Sequence, residues 1–555
     1  MPTVRTVAVC LAAACCALAQ PPEKCAIRGR VVNAITGAPL KRASVWVEPF
    51  NPTRGVNGSP TVSGPSVTTD AEGRFTLANV DPGSYLLSAG RSGYLAQGYG
   101  AAEPDVVGPP LKLNSGDSLA DVTLKLTPQS LLYAKVTDED GEAVADAAIA
   151  LYKVSYAGGR KQLVIFQDGR SQADGSLVIG NLAPGRYYLS ASLGEAPQGD
   201  PRSRDLYVRT FYPGTVDPAA AEAIQVAAGG EIRGLSIRLR KASVYRIRGR
   251  AVVAPSGGPA PSLALHLRPR ETSLLQFNAK SATTSKDGSF EFTGVLPGSY
   301  RIVTDPSSAF VVFDPQAGQP KRSEILFART VVGITDSDVD DLTVPVAKGA
   351  EIAGKLTGSP DSGKRVSLAL VAADQSRPAD ALVAAEPDGT FRFRDVPPDV
   401  YQVQVAGLPA GTYVKSVAFG GEDITNQNLD LTAGAGGSIE IGLSADAGEV
   451  SGTVHNAKGD AMPGALVQIW PADGDSAKSV KADEAGAFRF RSLAPADYRV
   501  AAWESLADDL AEYPAFRARF GSQATAVTIA QHSRQQVEVT AISREAIAAE
   551  TAKLP

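Results

Sequence analysis

The sequence predicts an all-β fold built as five tandem Greek-key β-sandwich domains. Three observations predict it: a spaced motif that recurs five times, runs in which apolar and polar residues alternate, and helical periodicity confined to two short patches. The motif reads "GRFTLANVDPGSY" from Gly73 to Tyr85 and returns with the same internal gap at Gly175 to Tyr187, Gly288 to Tyr300, Gly389 to Tyr401 and Gly486 to Tyr498. Its starts lie 97 to 113 residues apart. That period is too long for a solenoid and matches a complete small domain.

At 555 residues with 44% apolar content, the chain exceeds what a single core supports. The repeat divides it into modules at 20–127, 128–241, 242–348, 349–447 and 448–543, followed by a tail at 544–555. Each module opens on a strand carrying glycine ("IRGRVV", "IRGRAV", "IAGKL", "VSGTV"), with Ala134 in the glycine's place in the second ("LYAKV"). A turn and a second alternating strand follow, as in "ASVWVEP" and "ALVQIWP". Next comes the repeated motif, entered in three modules by Asp-Gly (Asp174-Gly175, Asp287-Gly288, Asp388-Gly389). Asp-Gly suits the positive φ of a tight turn, so a β-hairpin is expected here. Beyond the turn, Phe75 and Leu77, or Phe391 and Phe393, are spaced to share one sheet face.

Proline then reverses the chain. Three residues later stands a tyrosine, Tyr85, Tyr187, Tyr300, Tyr401 or Tyr498. Its ring is expected on the core with its hydroxyl returned to nearby backbone, in the manner of the tyrosine corner of Greek-key sandwiches. A last alternating strand closes each module. The helical patches are "AWESLADDLAEYPAFRARF" and the tail "REAIAAETAKLP".

The 54 basic and 59 acidic residues give a net charge of −5 with no long run of either sign, which argues against nucleic acid as a partner. The first nineteen residues, one arginine followed by an apolar run ending in Ala-Leu-Ala, read as a secretory signal peptide cleaved after Ala19. Lipidation at Cys15 or Cys16 is the weaker alternative, since neither follows the Leu-small-small triplet it would need. After cleavage only Cys25 remains, which excludes a disulfide framework and a thiolate metal cluster. Cys25 is either a partly buried thiol or an intermolecular bridge. No stretch beyond residue 20 is apolar enough to span a membrane as a helix.

The combination "RGRVVNAITGAPLKRASVWV…TTDAEGRFTLANVDPGSYLLSA" resembles the carboxypeptidase regulatory-like domain, a transthyretin-type (prealbumin-type) sandwich also grouped with carbohydrate-binding-like folds. The resemblance covers essentially all of 24–543. "GLPAGTYVKSVAFGGEDI" is similar to a segment of bacterial secreted proteins built from tandem copies of this domain. It implies the fold firmly and function only loosely, because such domains accompany peptidases, receptors and surface proteins alike.

Catalytic patterns are missing. A zinc carboxypeptidase needs His-x-x-Glu and a third histidine, and none of His266, His455 and His532 has a glutamate three residues on. No Gly-x-Ser-x-Gly elbow occurs. "GSPDSGKR" (358–365) has phosphate-loop spacing but ends on Arg365 and leads into a strand, so it reads as an ordinary loop. "DSDVDD" (336–341) alternates oxygens yet lacks the turn glycine and terminal glutamate of a calcium loop. No cofactor and no metal are expected.

Two binding candidates stand out. If Val45 and Val47 face the core, as Val467 and Ile469 should, then Trp46 and Trp470 point outward as sugar-stacking surfaces, unless a loop or neighbouring module covers them. Arg238, Arg240, Arg246, Arg248 and Arg250 alternate along "LSIRLRKASVYRIRGR". They form either an anion-binding strip or a solvated face that blunts strand edges. The reading is an exported non-enzymatic scaffold of the periplasm, outer membrane or extracellular space. Its contacts are with polysaccharide or envelope protein, through loops such as 90–110 and 191–224. The rival readings are a glycan-binding protein using the tryptophans and an enzyme with an unrecognised site.

Overall fold

The computed structural model describes residues 23–554 except 51–63, 102, 105, 107, 194–204, 271–278, 305–310, 314–319, 323–325, 359–365, 374–380 and 433–435. The expected signal peptide and most of the 358–365 loop lie outside the described residues. The protein is all-β, its sheets forming tandem domains. The chain groups into two compact units, residues 1–134 with 177–186 and 225–235, and residues 135–176 with 187–224 and 236–555.

The same strand trio recurs in four modules. Cys25–Asn33 pairs antiparallel with Arg74–Val80 and parallel with Ser118–Leu126. Tyr245–Val253 does so with Ser289–Val295 and Val339–Lys348, and Ala350–Thr357 with Thr390–Val396 and Gly437–Ser444. Gly448–His455 repeats it with Ala487–Leu493 and Arg534–Ile542. In these four modules the first and last strands are thus parallel neighbours, and everything between them is one long crossover. A second sheet is seeded by the second strand paired antiparallel with the tyrosine strand, as in Ser44–Pro49 with Gly83–Gly90 and Leu466–Pro471 with Ala496–Trp503. Ala148–Ser155 and Gly185–Ser192 form the same pair in the second module.

The opening-strand glycine answers to this crossover. A Cβ on Gly29 would stand 2.0 Å from the carbonyl oxygen of Val122, on Gly249 2.0 Å from that of Leu342, and on Gly452 2.0 Å from that of Val537. At Gly354 the obstacle is the Phe391 ring, 2.1 Å away. The last strand passes where a side chain would begin. Nothing in the structure explains why Ala134 replaces the glycine in the second module.

The repeated motif is not the hairpin its glycine turn suggests: across Asp388-Gly389, Ala381–Ala384 pairs with Ser367–Ala372 while Thr390–Val396 pairs with Ala350–Thr357, and Glu72-Gly73 does the same. In the first module, Ser66–Thr68 pairs within the sheet of Ser44–Pro49, whereas Arg74–Val80 pairs with Cys25–Asn33 in the other sheet. The next strand, Gly83–Gly90, returns to the first of these. The chain crosses between sheets at each end of the motif, so both turns are arches. A buried threonine anchors the first arch. Thr69 Oγ donates to the Leu40 carbonyl at 2.6 Å and accepts from the Ala43 amide at 2.9 Å. Thr284 repeats this with Ala260 and Leu263 at 2.6 and 2.8 Å. These bonds pull the chain toward the loop between the first two strands, and a hairpin partner is never within reach.

The second arch carries the tyrosine. Tyr300 Oη donates to the carbonyl of Leu296 at 2.8 Å, Tyr401 Oη to Pro397 at 2.7 Å and Tyr498 Oη to Ala494 at 3.0 Å, each four residues back. Burial pushes the Tyr300 phenol up to about 12. Tyr187 is fully buried with its ring 5.6 Å from that of Phe166. Tyr85 is half-buried, packed against the first core, with its ring beside Gly83. Separate cores fill the sandwiches: Ile27, Val45, Phe75 and Leu124 in the first; Ile247, Leu265, Phe292 and Val344 in the third. Ile352, Leu368, Phe393 and Ile441 fill the fourth, and Val450, Val467, Phe490 and Val539 the fifth. Each such side chain contributes about 1.5–3 kcal/mol by leaving water.

Two outcomes are expected. Gly452→Ala drives a methyl group into the Val537 carbonyl, and overpacking of this kind costs about 1–3 kcal/mol. Native-state hydrogen exchange across 448–455 reads it as faster opening, and an unchanged rate refutes the close approach. In the first arch, hydrogen bonds from the Ser289 and Thr390 hydroxyls and amides hold the Asp287 and Asp388 carboxyls below the usual aspartate range. Because the folded value is depressed, their contribution is complete above the ordinary aspartate pKa of about 4 and is lost as pH falls through the folded value. NMR titration should place both midpoints below that of a free aspartate.

Candidate functional site

Alternation places the tryptophans as expected and burial does not. Val45 and Val47 are fully buried in the first core, and Val467 and Ile469 in the fifth, so Trp46 and Trp470 do point to the opposite face. That face is covered: Trp46 is 2% exposed and Trp470 8%. The sugar-stacking expectation is therefore corrected, because in the first and fifth modules the chain after the corner tyrosine packs beside the indole. In the first module the Trp46 ring lies against Gly90, with Ala96 beside that contact. In the second, Phe211 covers Tyr152 and Tyr188, so parts of both loops proposed for recognition are spent on packing.

The fifth module carries the most developed cover. Two short helices, α1 (Asp508–Ala511) and α2 (Pro514–Ala518), and the C-terminal α3 (Arg544–Ala552) shield its outer face. Trp470, Trp503, Phe516, Phe520 and Ile547 form one apolar cluster there. Trp503 is fully buried and meets Phe520 edge-to-face at 5.1 Å. A buried polar network pins this cap. The Trp503 indole donates to Gln468 Oε1 at 3.0 Å, and Gln468 Nε2 donates to the Ala511 carbonyl at 3.0 Å. Arg517 Nη1 donates to the same carbonyl at 2.7 Å, and its Nη2 to that of Asp475. Desolvation lowers the Arg517 pKa, so the guanidinium is held by carbonyl oxygens at some cost. Neither Gln468 nor Arg517 stood out in the sequence, because each looks like an ordinary surface residue on its own element.

The five arginines do alternate outward, with Leu239 and Ile247 buried between them. They do not make a free basic strip. Arg246 pairs with Asp338 at 3.1 Å, Arg248 with Glu291 at 3.0 Å and Arg250 with Asp287 at 3.3 Å. Glu291 raises the Arg248 pKa, with Asp340 and Asp338 adding to the effect. Arg240 Nε donates to the Gly214 carbonyl at 3.2 Å, and Arg238 is exposed. The carboxylates come from the adjacent strand Ser289–Val295 and from the turns that lead into it and into Val339–Lys348, which sequence spacing could not reveal. A cleft of about 770 Å³ runs over this patch, lined by Arg248, Arg250, Ser289, Glu291, Asp340 and Thr343. Its mixed charge suits a polar neutral surface better than a polyanion. Of the 336–341 aspartates, Asp338 serves this pairing, its carboxylate also accepting from the Arg246 amide at 3.0 Å. Among the described residues no cluster of side chains is arranged to hold a metal ion, and no helix is long and apolar enough to cross a membrane. Cys25 is 1% exposed, its thiol donating to the Asn114 carbonyl, which fits the buried thiol better than a bridge.

Residues 26–127 and 449–541 match the model of the carboxypeptidase regulatory-like domain. The chain is a multi-domain protein with carboxypeptidase regulatory-like domains. No curated protein matches it. Among solved structures it is similar to the Bacillus anthracis TIE protein (12% identity, TM-score 0.16, covering 73% of this chain and 72% of that one). It is also similar to a streptococcal ancillary pilin (13%, 0.18, 54% and 99%) and to the major pilin subunit of Bacillus cereus (12%, 0.13, 74% and 98%). At these scores no role carries across.

A covered indole makes a definite demand. Trp470→Ala should lower the local opening free energy of Leu466–Pro471 by about 3–5 kcal/mol, the cost of emptying a packed tryptophan site. Hydrogen exchange measures this. A loss below about 1 kcal/mol would mean that the ring faces solvent.

Proposed function

We propose that this protein is an exported, non-enzymatic scaffold of the cell envelope or extracellular space that works by holding β-sandwich modules at set separations. The observation that carries this is the third-to-fourth junction. Strand Val339–Lys348 ends one residue before Ala350–Thr357 begins, and the residue between is Gly349. A Cβ on Gly349 would stand 2.4 Å from Asp395 backbone and 2.7 Å from the Phe327 ring. Beside it Arg329 of the third module forms an ion pair with Asp399 of the fourth, the side chains only 19% and 9% exposed. A flexible tether has no use for such a junction. The fourth-to-fifth junction is similarly tied: the Gly411 amide donates to Ser492 Oγ at 3.1 Å, and the His532 amide to the Asp446 carbonyl at 3.1 Å. The leader-like residues 1–19 support export.

Fixed spacing is measurable. With spin labels at Lys286→Cys and Glu440→Cys in a Cys25→Ser background, the distance distribution between the third and fourth modules should be single and narrow. Arg329→Ala leaves the Asp399 carboxylate without its guanidinium, a loss of about 3–5 kcal/mol for a buried pair, and should broaden it. A broad distribution in the parent would defeat the scaffold reading.

A further inference from the structure

Contacts within the larger unit join residues of the second module to the fifth. At the tip of its edge hairpin the second module carries a 3-10 turn, Ala157–Gly159, in which Gly158 and Gly159 have φ of 68° and 71°. The turn presents the Tyr156 and Gly158 amides to α1 of the fifth module. The Tyr156 amide donates to Asp509 Oδ2 at 3.0 Å, and the Gly158 amide to Glu512 Oε2 at 2.9 Å. Asp509 and Glu512 are three residues apart, the spacing that puts two side chains on one helical face. The Tyr156 ring stacks on that of Tyr513, centroids 4.7 Å apart and planes 25° from parallel. Tyr156 is 4% exposed and belongs to the same apolar cluster as Trp470 and Leu510, with Val154 packed against it. Gly159 sits against Pro514, and Arg160 Nη2 donates to the Ala373 carbonyl of the fourth module at 3.1 Å.

We propose that this contact is a latch: the Tyr156–Arg160 turn clips the acidic-aromatic segment Asp508–Tyr513 and switches modules two and five between a joined and a separated state. The recognition chemistry is complete in itself. Two backbone donors meet two carboxylates, and one aromatic ring meets another, so the turn selects a short acidic segment ending in an aromatic residue. The contact is also releasable. Apart from the Arg160–Ala373 bond it is confined to the Tyr156–Gly159 turn and the Asp508–Tyr513 segment, holds no covalent bond, and has Asp509 half-buried and Glu512 exposed, so it opens by a local rather than a global transition. Release uncovers Tyr156, Tyr513 and the edge of Leu510 as a new apolar surface.

Residue-resolved hydrogen exchange tests the latch on the full chain. The Tyr156 and Gly158 amides should be protected in the parent and exchange at least tenfold faster in Asp509→Ala/Glu512→Ala. Tyr156→Ala attacks the latch from the other side and should likewise speed exchange at Gly158. In a Cys25→Ser background, spin labels at Glu142→Cys and Lys458→Cys should give one narrow distance distribution in the parent and add a second, longer component in each variant. Strands Leu466–Pro471 and Ala496–Trp503 should keep their protection throughout. If the parent amides exchange at loop rates, or if protection and distance survive in both variants, the latch is refuted. Narrow spacing between modules three and four would stand regardless.

Discussion

One approach of backbone to backbone governs the first, third and fifth modules: the last strand lies parallel to the first, so close that its carbonyl occupies the site of a β-carbon at Gly29, Gly249 or Gly452. A parallel pair cannot be joined by a tight turn. Everything between the two strands must leave the sheet, build the opposing one and return. The arches follow from that requirement. Thr69 and Thr284 tie the outgoing crossing to the first loop, and the tyrosine hydroxyls of Tyr300, Tyr401 and Tyr498 tie the returning one. Because the pairing joins the ends of each repeat, a module closes on its own core.

Closure leaves the outer faces of the second sheets apolar, and the protein covers them locally. Ala96 beside Trp46, Phe211 over Tyr152 and the helical cap over Trp470 are three versions of one solution, each drawn from the segment after the corner tyrosine. The cap is the most elaborate because its sheet presents two indoles and a glutamine. Its apolar helices satisfy the rings, and the shared Ala511 carbonyl satisfies Gln468 and Arg517 together. A surface spent on packing is not available for stacking sugars. Between modules, Gly349 and the Arg329–Asp399 pair replace linker freedom with contact, and the Tyr156 turn reaches the fifth module across more than three hundred residues.

Much of the fold was legible in the chain. The spacing of glycine to tyrosine announced a repeated β unit, and alternation assigned Val45, Val467, Phe391 and Leu239 to the interior, where they lie. These are local signals, since a strand's two faces are set by its own sequence whatever it pairs with. The Asp-Gly turn misled for the same reason. It reports the local reversal faithfully but not whether the next strand joins the same sheet or the opposite one.

By itself, then, the sequence determined an all-β chain of repeated units, which side chains of each strand turn inward, and where each unit reverses direction. Only the tertiary structure decided that Trp46 and Trp470 are covered, that Arg246, Arg248 and Arg250 face Asp338, Glu291 and Asp287, and that Tyr156 meets Tyr513. The physical reason is separation along the chain. Periodicity encodes what a residue does within a few neighbours, whereas burial, charge pairing and docking depend on partners dozens to hundreds of residues away, chosen by sheet order and module packing.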